Sequence, residues 1–143
     1  MNLVRESVER DGARVVVMDS LNGFLQAMPD EQFLVNQLHE LLTYLGRLGV
    51  STLMVAAQHG IIGAHMSAPV DTSYLADAVV LLRYFEHQGR VKKAVSVVKK
   101  RSGPHEESIR ELRFSSSGIQ LSEPLTQLRG VLTGVPVEVD TAR

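Results

Sequence analysis

Cysteine and tryptophan are both absent from the 143 residues, and neither sign of charge dominates. Without cysteine there are no disulfides and no thiolate metal sites, a composition that fits the cytoplasm. Lys and Arg total 15 and Asp and Glu 16, so a net charge of −1 draws the chain neither to nucleic acid nor to an anionic membrane. No apolar run approaches the roughly 20 residues of a membrane span, and the amino terminus lacks a signal peptide's apolar stretch. The composition therefore predicts a cytoplasmic globular protein that is not bound to a membrane.

Two apolar runs predict neighbouring parallel strands. Residues 15–18 are Val-Val-Val-Met, and residues 53–57 are Leu-Met-Val-Ala-Ala. Between them, leucines at helical spacing over residues 34–48 predict an amphipathic helix with Asp30 as its N-cap and Gly49 just past its end. A strand, a helix and a second strand form a βαβ unit, whose parallel strands are expected to be buried on both faces.

Two hairpins are predicted after this unit, and a short helix over residues 3–10 before it. The first hairpin turns at His87-Gln88-Gly89 and the second at Ser115-Ser116-Ser117-Gly118. Because hairpins pair antiparallel strands, the sheet is expected to continue as an antiparallel one. The predicted hairpin strands are residues 76–85, 90–101, 109–114 and 119–121.

Polar residues end both strands of the βαβ unit, at the edge where open α/β sheets bind ligands. Asp19 and Ser20 follow the first strand, and Gln58 follows the second. A carboxylate followed by a small hydroxyl suits a site for Mg²⁺ and phosphate, with the metal held directly or through water. Alternatively, Asp19 caps the following turn and Gln58 caps its strand, and the residues alone leave both readings open.

A basic strand end is the second candidate site. Because side chains alternate along a strand, Lys99 and Arg101 share one face, and a Ser-Gly-Pro turn then presents His105. Two cations and an imidazole together can hold an anion. Alternatively, the charges discourage pairing at a sheet edge. Nucleic acid is disfavoured as the anion, since Glu106 and Glu107 would repel its phosphates.

Five parts of the chain carry a resemblance to a known family. They are Val15-Val16-Val17-Met18-Asp19-Ser20-Leu21, Gly63-Ala64-His65, Tyr74-Leu75-Ala76-Asp77 with Val79-Val80-Leu81-Leu82, Val97-Val98-Lys99-Lys100-Arg101-Ser102-Gly103-Pro104-His105 with Ile109-Arg110-Glu111, and Gly130-Val131-Leu132-Thr133-Gly134-Val135-Pro136. The basic turn, Lys-x-Arg-x-x-x-His, and the Leu-Thr-Gly-x-Pro segment near the end are the more specific features. Through these segments the chain resembles, over residues 10–138, the KaiC-like branch of the RecA-type P-loop ATPases.

The resemblance implies a role for each candidate residue. Asp19 would assist Mg²⁺ through water, and Ser20 would be the serine that follows it in the Walker B strand. Gln58, at the neighbouring strand end, is a further candidate for binding ATP. The basic residues would reach the γ-phosphate of ATP on the neighbouring subunit of a ring: Lys99, Arg101 and His105.

A Ser–Thr pair that is phosphorylated in the clock proteins of the family has a partial match here. Ser73 matches its first position and is the candidate phosphoacceptor, whereas Tyr74 stands where the threonine would be. This departure argues against clock-type autophosphorylation and indicates the broader, non-clock part of the family.

The phosphate-binding motif Gly-x-x-x-x-Gly-Lys-[Ser/Thr] does not occur in these residues. The expected fold is thus a RecA-like P-loop NTPase core of the α/β class, incomplete at its N-terminus, in which antiparallel strands extend the parallel sheet. Residues 1–123 are predicted to be the Walker B half of such a domain, and residues 124–143 an extended tail or linker.

Two functions remain open from the sequence, and a third, nucleic-acid binding as in RecA itself, is disfavoured because it rests only on the basic strand. In the first, the chain is part of an ATP-binding protein that hydrolyses ATP in a hexameric ring of identical subunits, with serine/threonine kinase activity as a further property of the family. Its cofactors would be ATP and Mg²⁺, and signalling proteins would be its other partners. In the second, it is a non-catalytic module that regulates intact KaiC-like partners.

Overall fold

The computed structural model describes residues 2–23, 31–57 and 73–139, which form two compact units. The first unit comprises the described residues up to 75, and the second comprises residues 76–139. The helices are α1 (Asn2–Glu9) and α2 (Glu31–Arg47). The strands are β1 (Val15–Asp19), β2 (Ser51–Val55), β3 (Ala78–His87), β4 (Arg90–Lys100), β5 (Arg110–Ser115), β6 (Gly118–Pro124), β7 (Leu128–Arg129) and β8 (Val137–Glu138).

The first unit contains the predicted βαβ arrangement. β1 and β2 are parallel and pair in register from Val15 with Ser51 to Asp19 with Val55. The leucines of α2 form a buried stripe that packs with the inward side chains of β1 and with α1. The buried members of this core are Val8, Met18, Leu21, Leu34, Leu38, Leu41, Leu45 and Val50.

The prediction that β1 is buried on both faces is wrong for the described residues. Met18 is buried and Val16 half-buried, but Val15 and Val17 are 64% and 61% exposed. Their neighbour Leu53 on β2 is also exposed. The reason is that the α2 core packs with alternate residues of β1 only, and the residues between them point to the opposite face of the pleat.

Helix α2 ends at the predicted glycine. Gly49 has a φ of +68°, its N–H donates to the carbonyl of Gly46 at 3.1 Å, and the N–H of Val50 donates to the carbonyl of Leu45 at 3.0 Å. This pair of hydrogen bonds is the Schellman motif, which satisfies carbonyls that the helix leaves without a partner. The predicted N-cap, Asp30, lies outside the described residues.

The second unit is built on an antiparallel sheet in the order β3-β4-β5-β6, as the two predicted hairpins require. At the first hairpin Gln88 and Gly89 both have positive φ, 53° and 67°, which is the type I′ turn that suits the twist of two-residue hairpins. One face of the sheet buries Phe85 and Ala94. Several other apolar side chains of the sheet are exposed, among them Val80, Leu82, Tyr84, Phe114, Ile119 and Leu121.

Residues 125–139 pack against this sheet. Val131 is 1% exposed and joins Phe85 and Ala94 in the core of the second unit. The N–H of Glu86 donates to the carbonyl of Gly134 at 3.1 Å, and β7 pairs with β8. Gly130 has a φ of +74°, and an added Cβ there would lie 3.3 Å from the carbonyl oxygen of Val135. The predicted boundary between a domain of residues 1–123 and a tail of 124–143 stays a prediction.

The structure thus has both the parallel and the antiparallel sheet of the predicted α/β class. That the two sheets join into one RecA-like sheet stays a prediction. No helix within the described ranges is long and apolar enough to cross a membrane.

Candidate functional site

The carboxyl end of β1 presents the first pair of predicted site residues. Asp19 is exposed and Ser20 is half-buried, and the peptide bond between them is cis. Leu21 follows at only 4% exposure and anchors the loop in the core of the first unit. The apolar strand and the buried leucine therefore hold a short polar segment at the sheet edge where α/β proteins bind ligands.

A side chain that the sequence analysis did not single out connects this loop to the segment just after β2. The Nδ2 of Asn22 donates to the carbonyl of Ala57 at 3.0 Å, and its Oδ1 accepts the N–H of Ala57 at 2.8 Å. The only signal in the sequence is an amide side chain shortly after a strand end. The partner lies 35 residues further along the chain, so spacing could not reveal it.

The chemistry at Asp19 fits a limited role toward Mg²⁺. Carboxylate and hydroxyl oxygens are hard donors of the kind this cation prefers. The described ranges contain no group of three or more His, Cys, Asp or Glu that could hold a metal by themselves. Mg²⁺ usually retains waters and binds one or two carboxylates together with phosphate, so a single aspartate suits it if phosphate supplies the remaining oxygens. Gln58 and the Gly63-Ala64-His65 segment lie outside the described residues.

The end of β4 presents the basic candidates within the second unit. Val79 pairs with Lys99 and Val80 with Val97, so a bulge at Val98 precedes Lys99. Lys99 is half-buried, Arg101 is exposed just past the strand end, and His105 is half-buried in the turn that follows. The three therefore belong to one strand end and its turn, and their action together on an anion stays a prediction.

Arg101 is held at two points by Asp77. Its backbone N–H donates to the carbonyl of Asp77 at 2.7 Å, and its Nη1 lies 3.1 Å from the Asp77 Oδ1. The two side chains are 59% and 83% exposed, so solvent screens this ion pair strongly. Lys100, on the other face, donates from Nζ to the carbonyl of Pro104 at 3.0 Å and braces the turn.

Glu106, which directly follows the basic turn, has an ionised carboxylate. Glu106 accepts the backbone N–H of Ser108 at 3.0 Å and contacts the Nη2 of Arg110, also at 3.0 Å. Hydrogen bonds from Ser108, and then from Arg110, lower the pKa of Glu106 from 4.5 to about 2. Glu106 is therefore charged at neutral pH, and its charge limits the attraction of this turn for a polyanion such as nucleic acid.

Ser73, the candidate phosphoacceptor, begins a 3-10 turn that spans Ser73–Leu75 in the first unit. It is exposed, as is Tyr74 beside it. Leu75 packs against the core of the first unit and holds the turn there. The side chain of Ser73 is accordingly on the surface. Within the described turn itself, no residue resembles a catalytic base.

A βαβ unit with a carboxylate at the end of its first strand, accompanied by an antiparallel sheet, places the chain in the α/β class, in which ligands bind at this edge of the sheet. A family model described as "ATPase: KaiC" matches residues 1–126. The chain therefore belongs to the KaiC ATPase family, whose members have a P-loop fold.

Curated relatives agree with this family. The chain is 25% identical over 97 residues to the circadian clock protein KaiC3 of Synechocystis sp. (strain ATCC 27184 / PCC 6803 / Kazusa), covering 68% of this chain and 19% of that protein. It is 23% identical over 127 residues to the circadian clock oscillator protein KaiC of Synechococcus elongatus, covering 87% and 24%. With the KaiC of Parathermosynechococcus lividus it shares 30% identity over 78 residues, covering 54% and 14%. The chain thus matches less than a quarter of the length of each of these relatives.

Proposed function

We propose that this chain forms part of a KaiC-like ATP-binding protein that hydrolyses ATP in a cytoplasmic ring of identical subunits and acts in regulation. The observation that carries the proposal is the exposed Asp19 carboxylate at the carboxyl end of β1, in a chain that matches the KaiC ATPase family over residues 1–126. Residues 1–123 would be the Walker B half of the ATPase domain.

At the first site, Asp19 would hold a water ligand of Mg²⁺ by accepting its hydrogen bond, with Ser20 and Gln58 as further polar contacts of the nucleotide. When bound, MgATP supplies the phosphoryl group and a cation that offsets its charge. Leu21 supports this role, because its burial keeps the loop next to Asp19 in place without using a polar group.

At the second site, Lys99, Arg101 and His105 would donate hydrogen bonds to the γ-phosphate held by the neighbouring subunit. The exposure of Arg101 supports this role, since a side chain at a strand end can reach beyond its own subunit. Its ion pair with Asp77 is solvent-screened and therefore weak, so a phosphate can replace the carboxylate at low cost. Donors aimed at the developing negative charge would lower the barrier to phosphoryl transfer.

The test substitutes Arg101 in a ring whose subunits carry both these residues and a P-loop. Arg101→Ala is expected to lower the hydrolysis rate by roughly 10³-fold, the size that arginines acting across an interface have in other NTPases. Arg90→Ala is the matched control, because Arg90 is also an exposed arginine, at the opposite end of β4. A ring that assembles and hydrolyses ATP normally with Arg101→Ala would refute the proposed role.

Mixing two inactive subunits tests whether the arginine acts between subunits. One subunit carries Arg101→Ala with an intact P-loop, and the other lacks the P-loop lysine but keeps Arg101. Mixed rings are expected to regain hydrolysis, because some interfaces then combine an intact P-loop with an intact arginine. If the mixed rings assemble but stay inactive, the arginine does not act on the neighbouring subunit's nucleotide.

A second candidate function is a non-catalytic module that regulates intact KaiC-like partners. The observation that favours it is that Gly-x-x-x-x-Gly-Lys-[Ser/Thr] is missing from the 143 residues. Adding the chain to an active KaiC-like ring and measuring turnover and particle size separates the two. Altered turnover together with co-assembly supports regulation, whereas an unchanged ring opposes it.

Kinase activity would need a phosphoacceptor, and Ser73 is the candidate. Its exposed position on the 3-10 turn supports access by a phosphoryl donor. Incubating active rings with labelled ATP and mapping the label by mass spectrometry tests this. Label at Ser73 that disappears in Ser73→Ala supports the assignment, and label found only elsewhere opposes it.

A further inference from the structure

The side chain of Asn22 continues the pairing of two strands beyond the point where their backbones separate. The parallel ladder of β1 and β2 ends at the pair Asp19 and Val55. Two residues beyond Val55, the N–H and carbonyl of Ala57 bond to the amide of Asn22 at 2.8 and 3.0 Å. The side-chain amide thus takes the place of a backbone peptide, because it offers one acceptor and one donor.

The loop that carries Asn22 is also held on its other side. Leu21 is buried in the core of the first unit, and the N–H of Gly23 donates to the carbonyl of Ser20 at 3.1 Å. The segment directly after Asp19 is therefore fixed by a buried leucine, by a local turn and by the amide of Asn22. Of these, only the amide links it to the chain that leaves β2.

We infer that Asn22 is a positioning residue for the site at Asp19. By joining the loop after β1 to Ala57, it sets the separation of the two strand ends where a metal-bound phosphate would lie. Few other residues can do the same: alanine offers no hydrogen bond, and an ionised aspartate accepts but cannot donate. The inference rests on the proposed function, since it needs a cation at Asp19, and the experiment below separates the two.

The first measurement is amide hydrogen exchange of the 143-residue chain. The Ala57 N–H is expected to be protected, and Asn22→Ala is expected to speed its exchange on the order of tenfold, as when a hydrogen bond of ordinary strength is lost. Amides in the middle of α2 should keep their exchange rates. Asn36→Ala is the matched control, because Asn36 is exposed on α2. Unchanged protection of Ala57 in Asn22→Ala would overturn the inference.

The second measurement uses Mn²⁺ together with inorganic phosphate, which supplies oxygen ligands that a single aspartate cannot. Mn²⁺ takes the same oxygen ligands as Mg²⁺ and broadens the NMR signals of nearby amides. In the unaltered chain, Mn²⁺ is expected to broaden the amides of both Ser20 and Ala57. In Asn22→Ala the Ser20 signal should still broaden, but that of Ala57 should broaden several-fold less, because the two strand ends separate. The ratio of the broadening at Ala57 to the broadening at Ser20 would not change through a general loss of stability, as long as the chain stays folded.

Two further variants distinguish a failure of the inference about Asn22 from a failure of the proposed metal role of Asp19. Asp19→Asn should abolish the broadening at Ser20, and if it does not, the proposed metal role of Asp19 is wrong whatever Asn22 does. Asn22→Gln keeps a neutral amide but lengthens it by one methylene, so it should give an intermediate ratio even if Asn22→Ala fails to fold. A ratio that stays at the original value in both Asn22 variants would overturn the inference and leave the proposed function standing.

Discussion

At the scale of single residues, Asp19 is an exposed carboxylate at the end of an apolar strand. A residue in this position contributes little to packing, so its replacement should affect ligand chemistry more than folding. The neighbouring Met18 and Leu21, by contrast, belong to the buried core. Effects on stability and on metal chemistry can therefore be separated within four consecutive residues.

Asp19→Asn is expected to lower Mg²⁺-dependent ATP hydrolysis in the intact ring and to raise the Mg²⁺ concentration needed for half-maximal rate. A neutral amide is a poorer ligand for a hard cation or its bound water. Turnover measured across a Mg²⁺ titration checks this, and the thermal unfolding midpoint should stay unchanged. Wild-type turnover with a wild-type Mg²⁺ requirement would mean that Asp19 only caps its strand.

Glu111 is a carboxylate that should matter for folding rather than for ligand binding. It is 8% exposed and accepts hydrogen bonds from the Nε and Nη2 of Arg113, both at 2.9 Å. Lys92 lies 3.6 Å away. The hydrogen bonds from Arg113 are the main cause that holds the pKa of Glu111 below its ordinary value of 4.5, against the opposing effect of burial.

A carboxyl group whose pKa is lower in the folded than in the unfolded chain stabilises the folded state when it is ionised. The contribution of Glu111 is fully present above pH 4.5 and is lost as the pH falls through the lower folded pKa. Glu111→Gln should therefore destabilise the chain by about 1–2 kcal/mol at pH 7, because charge-assisted hydrogen bonds are lost. Below pH 4.5 the difference between the two proteins should shrink.

Denaturant unfolding of both proteins at several pH values checks this prediction. Glu107→Gln is the matched control, because Glu107 is exposed in the turn before β5 and should cost much less. A stability difference that stays constant from neutral to acidic pH would show that the charge of Glu111 contributes nothing.

At the scale of secondary structure elements, two glycines at the end of α2 give opposite expectations. Gly46 lies in the last turn of the helix and Gly49 lies just beyond it with a φ of +68°. An added Cβ would meet nothing within 4 Å at either position, so sterics of packing do not distinguish them. Only the backbone conformation distinguishes the two positions.

Gly49→Ala is therefore expected to destabilise the chain by about 1–2 kcal/mol, the cost of a left-handed conformation for a residue with a Cβ. Gly46→Ala should stabilise it by about 0.5–1 kcal/mol, since alanine loses less entropy in a helix. Chemical denaturation of the two variants beside the unaltered chain measures both. Equal effects of the two substitutions would contradict the role of the Schellman motif in ending α2.

The strands show where element-scale prediction succeeds. Apolar runs joined by a helix correctly predicted the parallel pair, and turn residues between apolar runs correctly predicted the two hairpins, because these signals are local to each segment. They could not predict whether both faces are covered. Val15 and Val17 were expected to be buried, but exposure depends on what packs against the face, and that is not a property of the strand.

At the scale of the whole molecule, the chain lacks the motif that cradles phosphates. In P-loop proteins the backbone N–H groups and the lysine of Gly-x-x-x-x-Gly-Lys-[Ser/Thr] contact the triphosphate directly. The residues present here would contact the cation or a neighbour's γ-phosphate instead. The affinity of the isolated 143-residue chain for nucleotide should accordingly be low.

Calorimetric titration with MgATP is expected to give a dissociation constant weaker than about 10 µM, equivalent to roughly −7 kcal/mol. Titration of a KaiC-like protein that has its P-loop, under the same conditions, is the positive control. Binding by the isolated chain at or below that concentration would show that it contains a phosphate site that the sequence motifs do not reveal.

The sequence by itself determined helices α1 and α2, strands β1 to β6 and the family, because helical periodicity, apolar runs and turn residues are local patterns that the chain carries wherever it folds. It also placed Asp19 at a strand end and the basic residues at another strand end and in the turn that follows. Only the tertiary structure decided which distant groups meet: Asn22 with Ala57, Arg101 with Asp77, and Val131 with Phe85. The physical reason is that these contacts join residues tens of positions apart, so they exist only after the strands have paired and the core has closed.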